Sequence, residues 1–323
     1  MKQFKDLGDK IIAGDRRALS KAITLAESSR EDHRAKAVEL VGYLKVSGRK
    51  AKRIGLSGTP GVGKSTFIES FGTHLTGQGL RVAVLAIDPS SQRSGGSILG
   101  DKTRMDRLSR DPKAFIRPTP SQSHLGGVAR HTREVVSICE AAGFDIVIIE
   151  TVGVGQSETI VAQICDVFIL LLAPAAGDEL QGVKRGIMEM ADLILVNKSD
   201  GDLKLAANRT CADFSGALRL LRNRPQDPIG YPKVISVSAI EKTGFDDTWN
   251  CITELLNWRH EKGYFEKTRA SQARFWFEED VRQGILASLL KDEIVNMIDH
   301  IAIEVESGKM PPEIAASKVL RRI

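Results

Sequence analysis

Gly58-Thr59-Pro60-Gly61-Val62-Gly63-Lys64-Ser65-Thr66 is the stretch of this sequence that decides the fold. It fits the phosphate-loop pattern G-x-x-x-x-G-K-[ST], between a short apolar strand and a helical stretch from Ser65 to about Leu75. Backbone N–H groups of such a loop point inward at a phosphate, and the following helix N-terminus adds partial positive charge. Lys64 can reach the β- and γ-phosphates as a catalytic residue, and the Ser65 hydroxyl can hold Mg²⁺. We predict that all nine residues contact a bound nucleotide.

Composition limits the class of protein. The chain has 323 residues, 42% of them apolar, which is ample for one large core. The net charge is +5, but the basic cluster at residues 45–53 lacks interleaved aromatic side chains. That cluster therefore favours a solvated linker over a nucleic-acid surface.

Cysteine usage and hydropathy bear on where the protein works. The four cysteines lie far apart without a C-x-x-C pair, so no zinc site is indicated and a reduced compartment is expected. The first residues begin no apolar signal region, and the strongest apolar run, Val167–Ala173, is seven residues long. A membrane helix needs about 20. We expect a soluble, cytoplasmic protein without a membrane or nucleic-acid partner.

Strand and helix signals alternate between residues 51 and 262. Seven short apolar segments are predicted strands: Arg53–Leu56, Val82–Ile87, Ala114–Ile116, Ile146–Ile149, Val167–Leu172, Leu193–Val196 and Val234–Val237. Several are continuous apolar runs, typical of parallel strands covered on both faces. The clearest helical patterns between them cover Val128–Ala142, Leu203–Arg222 and Asp246–Glu261. This alternation predicts an α/β fold, a doubly wound and mostly parallel P-loop NTPase sheet. Its ligand binds beyond the carboxyl ends of the strands.

The two ends of the chain show helical patterns only. In residues 1–50, apolar spacing from Leu7 to Leu25 indicates a first helix, and a second follows from Arg30 to Leu44. Residues 263–323 carry apolar positions at helical spacing but have little core of their own. We therefore expect three parts: an N-terminal helical segment, a nucleotide-binding domain over 51–262, and a C-terminal arm that packs on that domain or on another copy.

Asn197-Lys198-Ser199-Asp200 follows a predicted strand and matches the guanine-recognition pattern N-K-x-D. A carboxylate only accepts hydrogen bonds, and guanine offers two adjacent donors that adenine lacks. Losing such a charge-assisted pair costs about 1.5–3 kcal/mol, enough to choose between nucleotides. Asn197, Lys198 and Asp200 are therefore predicted to bind the base. Ser238 and Ala239, at the end of the last strand, resemble the backbone contact to the guanine O6 atom, although an ordinary strand end would look the same.

Carboxylates also follow two earlier strands. Glu150 comes directly after the strand Ile146–Ile149, at the position of the acidic residue that holds Mg²⁺ through water in nucleotide hydrolases. Gly153 could donate its N–H to the γ-phosphate, so we list it as catalytic. Asp88 closes the strand Val82–Ile87, and Asp101 lies beyond a glycine- and serine-rich segment. Each of these acids has a plain alternative: a helix-capping carboxylate for Glu150, and a solvated loop charge for the two aspartates.

These motifs together closely resemble the methylmalonyl-CoA mutase-associated GTPases, the MeaB/ArgK family, which also carries the older description of LAO/AO transport system ATPases. The resemblance covers residues 1–262 well and the C-terminal arm more loosely. It rests on six blocks: residues 58–66, Asp88-Pro89-Ser90-Ser91, residues 95–105 with Asp101-Lys102-Thr103-Arg104-Met105, residues 150–158, Gly177-Asp178-Glu179-Leu180-Gln181-Gly182, and residues 197–200.

The resemblance implies a signal-recognition-like GTPase fold that binds GTP or GDP. It also implies a homodimer built with the C-terminal helices, and Mg²⁺ held around Ser65, Asp88, Asp101 and Glu150. Loops that report the nucleotide state are implied at five residues: Gln156, Asp178, Glu179, Gln181 and Lys184. Family members act as metallochaperone-like partners of adenosylcobalamin-dependent methylmalonyl-CoA mutase or a related acyl-CoA mutase, whose cofactor loading and protection they assist.

Two alternatives to a slow, partner-stimulated, Mg²⁺-dependent GTPase stay open at this point. One is an ATPase or kinase linked to lysine, arginine and ornithine transport, against which the residues Asn197–Asp200 speak. The other is an assembly factor that needs nucleotide binding but no turnover. Neither the partner nor the water-orienting residue follows from the residues themselves.

Overall fold

The computed structural model describes residues 2–28, 30–88, 105–120, 125–151, 157–174, 185–220, 224–288 and 292–321. The chain divides into two compact units, Met1–Ala270 and Ser271–Ile323. The first unit contains the N-terminal helices and a seven-stranded sheet. The second contains helices only in its described part.

Seven parallel strands form the sheet in the order β3-β2-β4-β1-β5-β6-β7. Their bounds are β1 Lys52–Gly58, β2 Val82–Asp88, β3 Ala114–Pro120, β4 Ile146–Thr151, β5 Val167–Leu172, β6 Leu193–Val196 and β7 Lys233–Ser236. Every residue of β4, β5 and β6 is buried, and successive side chains point to opposite faces. Both faces of the central sheet are therefore covered, which confirms the predicted doubly wound α/β fold.

The predicted strands are all present, with small differences at their ends. β5 and β6 have the predicted bounds, whereas β3 runs four residues further, to Pro120, because it pairs with β2 along its whole length. β1 continues through Ser57 to Gly58, so the sheet ends where the phosphate loop begins. The last residues of these strands are not all apolar, so a search for apolar runs does not include them.

Three helices precede the sheet: α1 Lys2–Ile12, α2 Arg16–Ala26 and α3 Glu31–Leu44. The single helix predicted over Leu7–Leu25 is wrong, since the chain turns between α1 and α2. Gly14 has φ 84°, a conformation that favours glycine. Asp15 then caps α2, accepting a hydrogen bond from Ala18 N at 2.8 Å.

Further α-helices in the described part of the first unit are α4 Lys64–Gly77, α5 Asp106–Arg110, α6 Leu125–Ala141, α7 Ser157–Ala162, α8 Arg185–Met190, α9 Lys204–Arg219 and α10 Phe245–Glu261. Helix α11, Tyr264–Ser288, begins in the first unit and ends in the second. The second unit also holds α12 Asp292–Glu306 and α13 Pro312–Leu320.

Large apolar side chains stay exposed along α11 to α13, among them Phe277 at 68% and Ile303 at 63%. Within the described segments, no helix combines the length and the apolar character that crossing a bilayer requires.

The position of β1 fixes where a ligand can bind. β1 lies between β4 and β5, so the chain leaves it at a point where successive connections run to opposite sides of the sheet. In doubly wound sheets the crevice at such a point, beyond the carboxyl ends of the strands, is where ligands bind. The core beneath it is built from apolar residues of β1, β4 and β5 with Phe67 and Phe71 of α4.

Candidate functional site

The phosphate loop leaves β1 at Gly58 and enters α4 at Lys64. A β-carbon at Gly58 would lie 2.4 Å from the carbonyl oxygen of Leu171, so only glycine fits beside β5. Gly61 and Gly63 have φ angles of 82° and 92°, the left-handed conformation that a tight turn needs. Val62 between them is 1% exposed and anchors the loop in the core. The loop therefore has the geometry that the motif predicts.

Lys64 lies against its own loop. Its Nζ donates to the carbonyl oxygens of Gly58, at 2.6 Å, and Thr59, at 3.3 Å. Burial lowers the pKa of Lys64, and the nearby carboxylates of Glu150 and Glu158 oppose that shift. Two acids thus favour a charged ammonium at the place where a phosphate chain would run. Ser65, half-buried, follows in the first turn of α4.

Asn197 and Lys198 join the second motif to the phosphate loop. Asn197 is 2% exposed, and its Nδ2 donates to the carbonyl oxygen of Val62 at 3.0 Å. Its Oδ1 accepts from Ala239 N at 3.2 Å. Lys198, with φ 58°, donates from Nζ to the carbonyl oxygen of Gly61 at 2.8 Å. Three segments distant in sequence therefore meet at one point.

Asp200 is held by the segment after β7. Ser238, fully buried, donates from its hydroxyl to Asp200 Oδ2, and Glu241 N donates to the Ser238 hydroxyl at 3.0 Å. Backbone hydrogen bonds in both directions at 3.2 Å close a turn between Ser238 and Thr243. The carboxylate is fixed through one oxygen, and Asp200 itself stays half-buried rather than enclosed. This arrangement can present a carboxylate edge to a purine.

Two of the expected Mg²⁺ ligands, Glu150 and Asp88, lie on neighbouring strands, and Ser65 lies in the first turn of α4. Glu150 is 4% exposed near the end of β4, and β2 beside it ends at Asp88. The backbone register pairs Ala86 with Glu150, so Asp88 lies two residues further toward the same edge. Hydroxyl and carboxylate oxygens are what a hard cation prefers, so Ser65, Glu150 and Asp88 fit Mg²⁺ by donor type.

Several predicted residues lie outside the residues that the structure describes. They are Asp101, Gly153, Gln156, Asp178, Glu179, Gln181 and Lys184. Their assignments stay predictions from the sequence.

The structure adds three residues that the sequence motifs did not indicate. Thr151 and Ser57, both fully buried, share a hydrogen bond of 2.9 Å between the ends of β4 and β1. Glu158 is also fully buried and lies one helical turn before Val161. Val161 Cγ1 is 2.7 Å from where a β-carbon on Gly55 would be, so this helix packs closely on β1. The sequence indicated Ser57 and Thr151 only by placing a hydroxyl near the end of each strand. Glu158 belongs to the block of residues 150–158, but the sequence indicated no role for it.

A protein-family model described as methylmalonyl Co-A mutase-associated GTPase MeaB matches residues 19–293. The chain belongs to this family. The expected resemblance is therefore confirmed, and the MeaB-family protein is a GTP hydrolase with the P-loop fold.

Relatives match this GTPase over most of their length. A protein of Caenorhabditis elegans described as methylmalonic aciduria type A homolog, mitochondrial, is 46% identical over 332 residues, which cover 99% of this chain and 82% of that protein. GTPase ArgK of Escherichia coli K12 is 45% identical over 280 residues, covering 87% and 84%. A crystal structure described as LAO/AO transport system kinase superposes with a TM-score of 0.77 at 33% identity, covering 99% and 97%.

Proposed function

We propose that this GTPase is a Mg²⁺-dependent guanine-nucleotide switch that assists adenosylcobalamin loading onto, and protection of, methylmalonyl-CoA mutase or a related acyl-CoA mutase. The family description, which names an association with that mutase, supports the choice of partner. The observation that carries the nucleotide part is the double contact of Asn197 with Val62 and Ala239. It links the phosphate loop to the residues that, in this proposal, read the base.

Guanine selection depends on Asp200. In this proposal its carboxylate accepts from the N1–H and 2-amino groups of guanine while Ser238 keeps it in place. Ala239, whose N–H donates to Asn197 Oδ1, lies next to the position proposed for the base. Adenine would offer the carboxylate no donor from the base, and losing those two charge-assisted hydrogen bonds is costly.

Hydrolysis in this proposal is attack of water on the γ-phosphate. Lys64 leaves its contacts with Gly58 and Thr59 to meet the β- and γ-phosphates, where it neutralises developing charge. Ser65, Asp88, Asp101 and Glu150 would hold Mg²⁺, which when bound supplies further positive charge to the phosphates. We assign no water-orienting side chain among the described residues, so we expect slow intrinsic turnover that a partner stimulates.

Two further features complete the proposal. Residues 263–323 join two copies of the chain, which fits the exposed apolar side chains of α11 to α13. The segments around Gln156 and residues 178–184, together with Gly153, respond to the γ-phosphate and report the nucleotide state to the mutase in the cytoplasm.

Nucleotide selection can be tested with Asp200→Asn and a matched control, Asp202→Asn, two residues away and exposed. Asp200→Asn should weaken GTP binding about 10-fold or more and improve binding of xanthosine triphosphate, because the new amide can donate to the second carbonyl. The control should bind both as the wild type does. Calorimetry in Mg²⁺ measures these affinities, and unchanged GTP affinity in Asp200→Asn would show that the base is read elsewhere.

The partner is tested by GTP turnover with and without purified mutase. Stimulation of hydrolysis and nucleotide-dependent transfer of adenosylcobalamin to the apo-mutase are the expected results. A transport-linked ATPase or kinase, suggested by the description of the solved relative, instead predicts preference for ATP and transfer of phosphate to an acceptor. Comparing ATP and GTP affinities separates these functions.

A further inference from the structure

The three N-terminal helices surround a groove that the nucleotide chemistry does not use. The groove lies among α1, α2 and α3 and has a volume of about 870 Å³. Phe4, Leu7, Ala18 and Leu25 contribute apolar side chains to it. Phe4, Leu7 and Leu25 are only half-buried, so part of this apolar surface faces the groove.

Ion pairs fix these helices to the sheet and to α6. Arg34 on α3 makes a bidentate pair with Glu134 on α6, at 2.7 and 2.6 Å. Arg117 on β3 pairs with Glu27, which is 9% exposed. Arg16 donates to the carbonyl oxygens of Pro112 and Ala114 at 2.9 and 2.7 Å. The groove is therefore built on a surface held firmly to the GTPase sheet, and preformed surfaces bind at lower entropic cost.

Charge around the groove is predominantly positive. Its lining includes the cationic residues Lys10, Arg17, Lys21 and Lys36 and two acids, Asp6 and Asp15. Asp6 pairs with Lys10 at 2.7 Å, Asp15 caps α2, and Lys36 faces Asp32 at 3.7 Å. Within the described residues, the excess positive charge of the groove is therefore that of Arg17 and Lys21. Arg17 and Lys21 stay exposed beside the apolar floor. An occupant must therefore combine an apolar ridge with negative charge.

We propose that this groove docks an acidic amphipathic helix of the mutase partner. This inference rests on the proposed function for the identity of that partner. An amphipathic helix lays apolar side chains at i, i+3, i+4 and i+7 into such a groove and directs its carboxylates to the basic rim. The apolar floor favours a protein over nucleic acid, since a phosphate backbone offers nothing to cover it.

The test compares two double charge reversals in the full-length protein. Arg17→Glu with Lys21→Glu reverses the rim, while Lys5→Glu with Lys45→Glu reverses two exposed basic residues of the same N-terminal segment outside the groove. Association with immobilised apo-mutase is measured at two salt concentrations, with GTP affinity measured in parallel. The rim variant should associate about 10-fold more slowly at low salt and less so at high salt, with GTP affinity unchanged. The control should stay within about twofold of the wild type in the same assay.

Each other outcome overturns the inference in a distinguishable way. Wild-type protein that never binds mutase removes the proposed partner and this docking site together. Equal binding by the rim variant and the wild type removes the docking site alone and leaves the partner in place. A rim variant that changes the mass of the GTPase assembly would show that a second copy occupies the groove. Binding to vesicles of anionic lipid is measured in parallel. If the rim variant loses binding to these vesicles but not to mutase, the groove binds a membrane surface instead.

Discussion

The two edges of the sheet use buried polar groups in opposite ways. At the carboxyl edge, Asn197, Lys198 and Lys64 bind backbone carbonyls of a loop whose predicted ligand lies outside the protein. At the amino edge, charged side chains bind one another. Arg259, 7% exposed, reaches Asp192 and Asp227 at 2.6 Å, and its Nη1 donates to the Asp166 carbonyl oxygen at 2.6 Å.

The amino-edge network continues to α11 and to β1. Arg269 makes two hydrogen bonds with the Asp166 carboxylate, at 2.8 and 2.7 Å, and one with the carbonyl oxygen of Ala51. Arg53 makes a bidentate pair with Glu140. At the amino edge, cationic and anionic side chains of the protein neutralise one another. At the carboxyl edge, the side chains of Lys64, Asn197 and Lys198 donate to main-chain carbonyls, so these donors could bind a ligand instead. Burial of a polar group therefore does not show by itself whether that group stabilises the fold or binds a ligand. The identity of its hydrogen-bond partners does.

Replacing Arg259 by Met should give the largest effect on this contrast. It removes the guanidinium that pairs with Asp192 and Asp227, and removing one partner of a buried pair costs about 3–5 kcal/mol. Because Arg224 Nη1 still lies 2.9 Å from Asp192 and 3.6 Å from Asp227, we expect the lower end of that range. Denaturant unfolding should show that loss, while GTP affinity of the folded fraction stays the same. Arg274→Met, in an exposed pair with Glu278, is the control and should change stability little. A specific loss of GTP affinity in Arg259→Met would mean that the two edges are coupled.

Lys64→Ala should act on the other edge alone. Removing one preorganised charge at the phosphates is expected to lower GTP turnover about 10²–10³-fold at saturating nucleotide. Stability should change little, since Lys64 donates only to loop carbonyls. Single-turnover hydrolysis measures the effect, and exposed Lys204→Ala serves as control. If Lys64→Ala still supports mutase activation without hydrolysis, the protein works as an assembly factor rather than by turnover.

Two glycines with nearly equal backbone angles sharpen the comparison further. Gly63 and Gly79 have φ of 92° and 93°, but a β-carbon at Gly63 would lie 2.8 Å from Asn197 Nδ2, and one at Gly79 would meet nothing within 4 Å. Each Ala substitution should cost about 1–2 kcal/mol of stability from the left-handed backbone. Gly63→Ala should also weaken GTP binding about 10-fold, equivalent to about 1.4 kcal/mol. Equal GTP affinities in the two variants would contradict a role for the Asn197 contact.

The smallest expected effect concerns the hydroxyl pair that joins β4 to β1. Thr151→Val leaves the Ser57 hydroxyl without its neighbour and should cost about 1 kcal/mol of stability. Thr151→Ser keeps a hydroxyl and should recover much of that loss. A double-mutant cycle with Ser57→Ala, read by denaturant unfolding, isolates the pair. Strict additivity would show that the two hydroxyls do not support each other.

The sheet could be predicted from the sequence because its strands are apolar on both faces. Val167–Leu172 and Leu193–Val196 are uninterrupted apolar runs, and runs this short favour strands, because helices usually need about 10 residues or more. The break at Gly14 was missed because apolar spacing continued across it. In the sequence, only the pair Gly14-Asp15 indicated the turn: a glycine that can adopt a positive φ, followed by a residue that caps helices.

The candidate site could be predicted only where its chemistry is local in sequence. The phosphate loop and the residues 197–200 each carry a complete motif. The amino-edge network could not be predicted, because Arg269 and Asp166 are 103 residues apart and an isolated charge does not indicate its partner. The same holds for Glu158, whose burial beside Lys64 follows from how α7 packs on β1.

One carboxamide in this molecule serves two loops at once. Asn197 contacts both Val62 and Ala239, so under the proposed function one side chain links the phosphate loop to the segment beside the base. Under that proposal, redesign toward a different purine should begin at Asp200, because changing Asp200 leaves both Asn197 contacts in place. A change at Asn197 should instead weaken the binding of every nucleoside triphosphate, so base selectivity could evolve separately from overall affinity at Asp200 but not at Asn197.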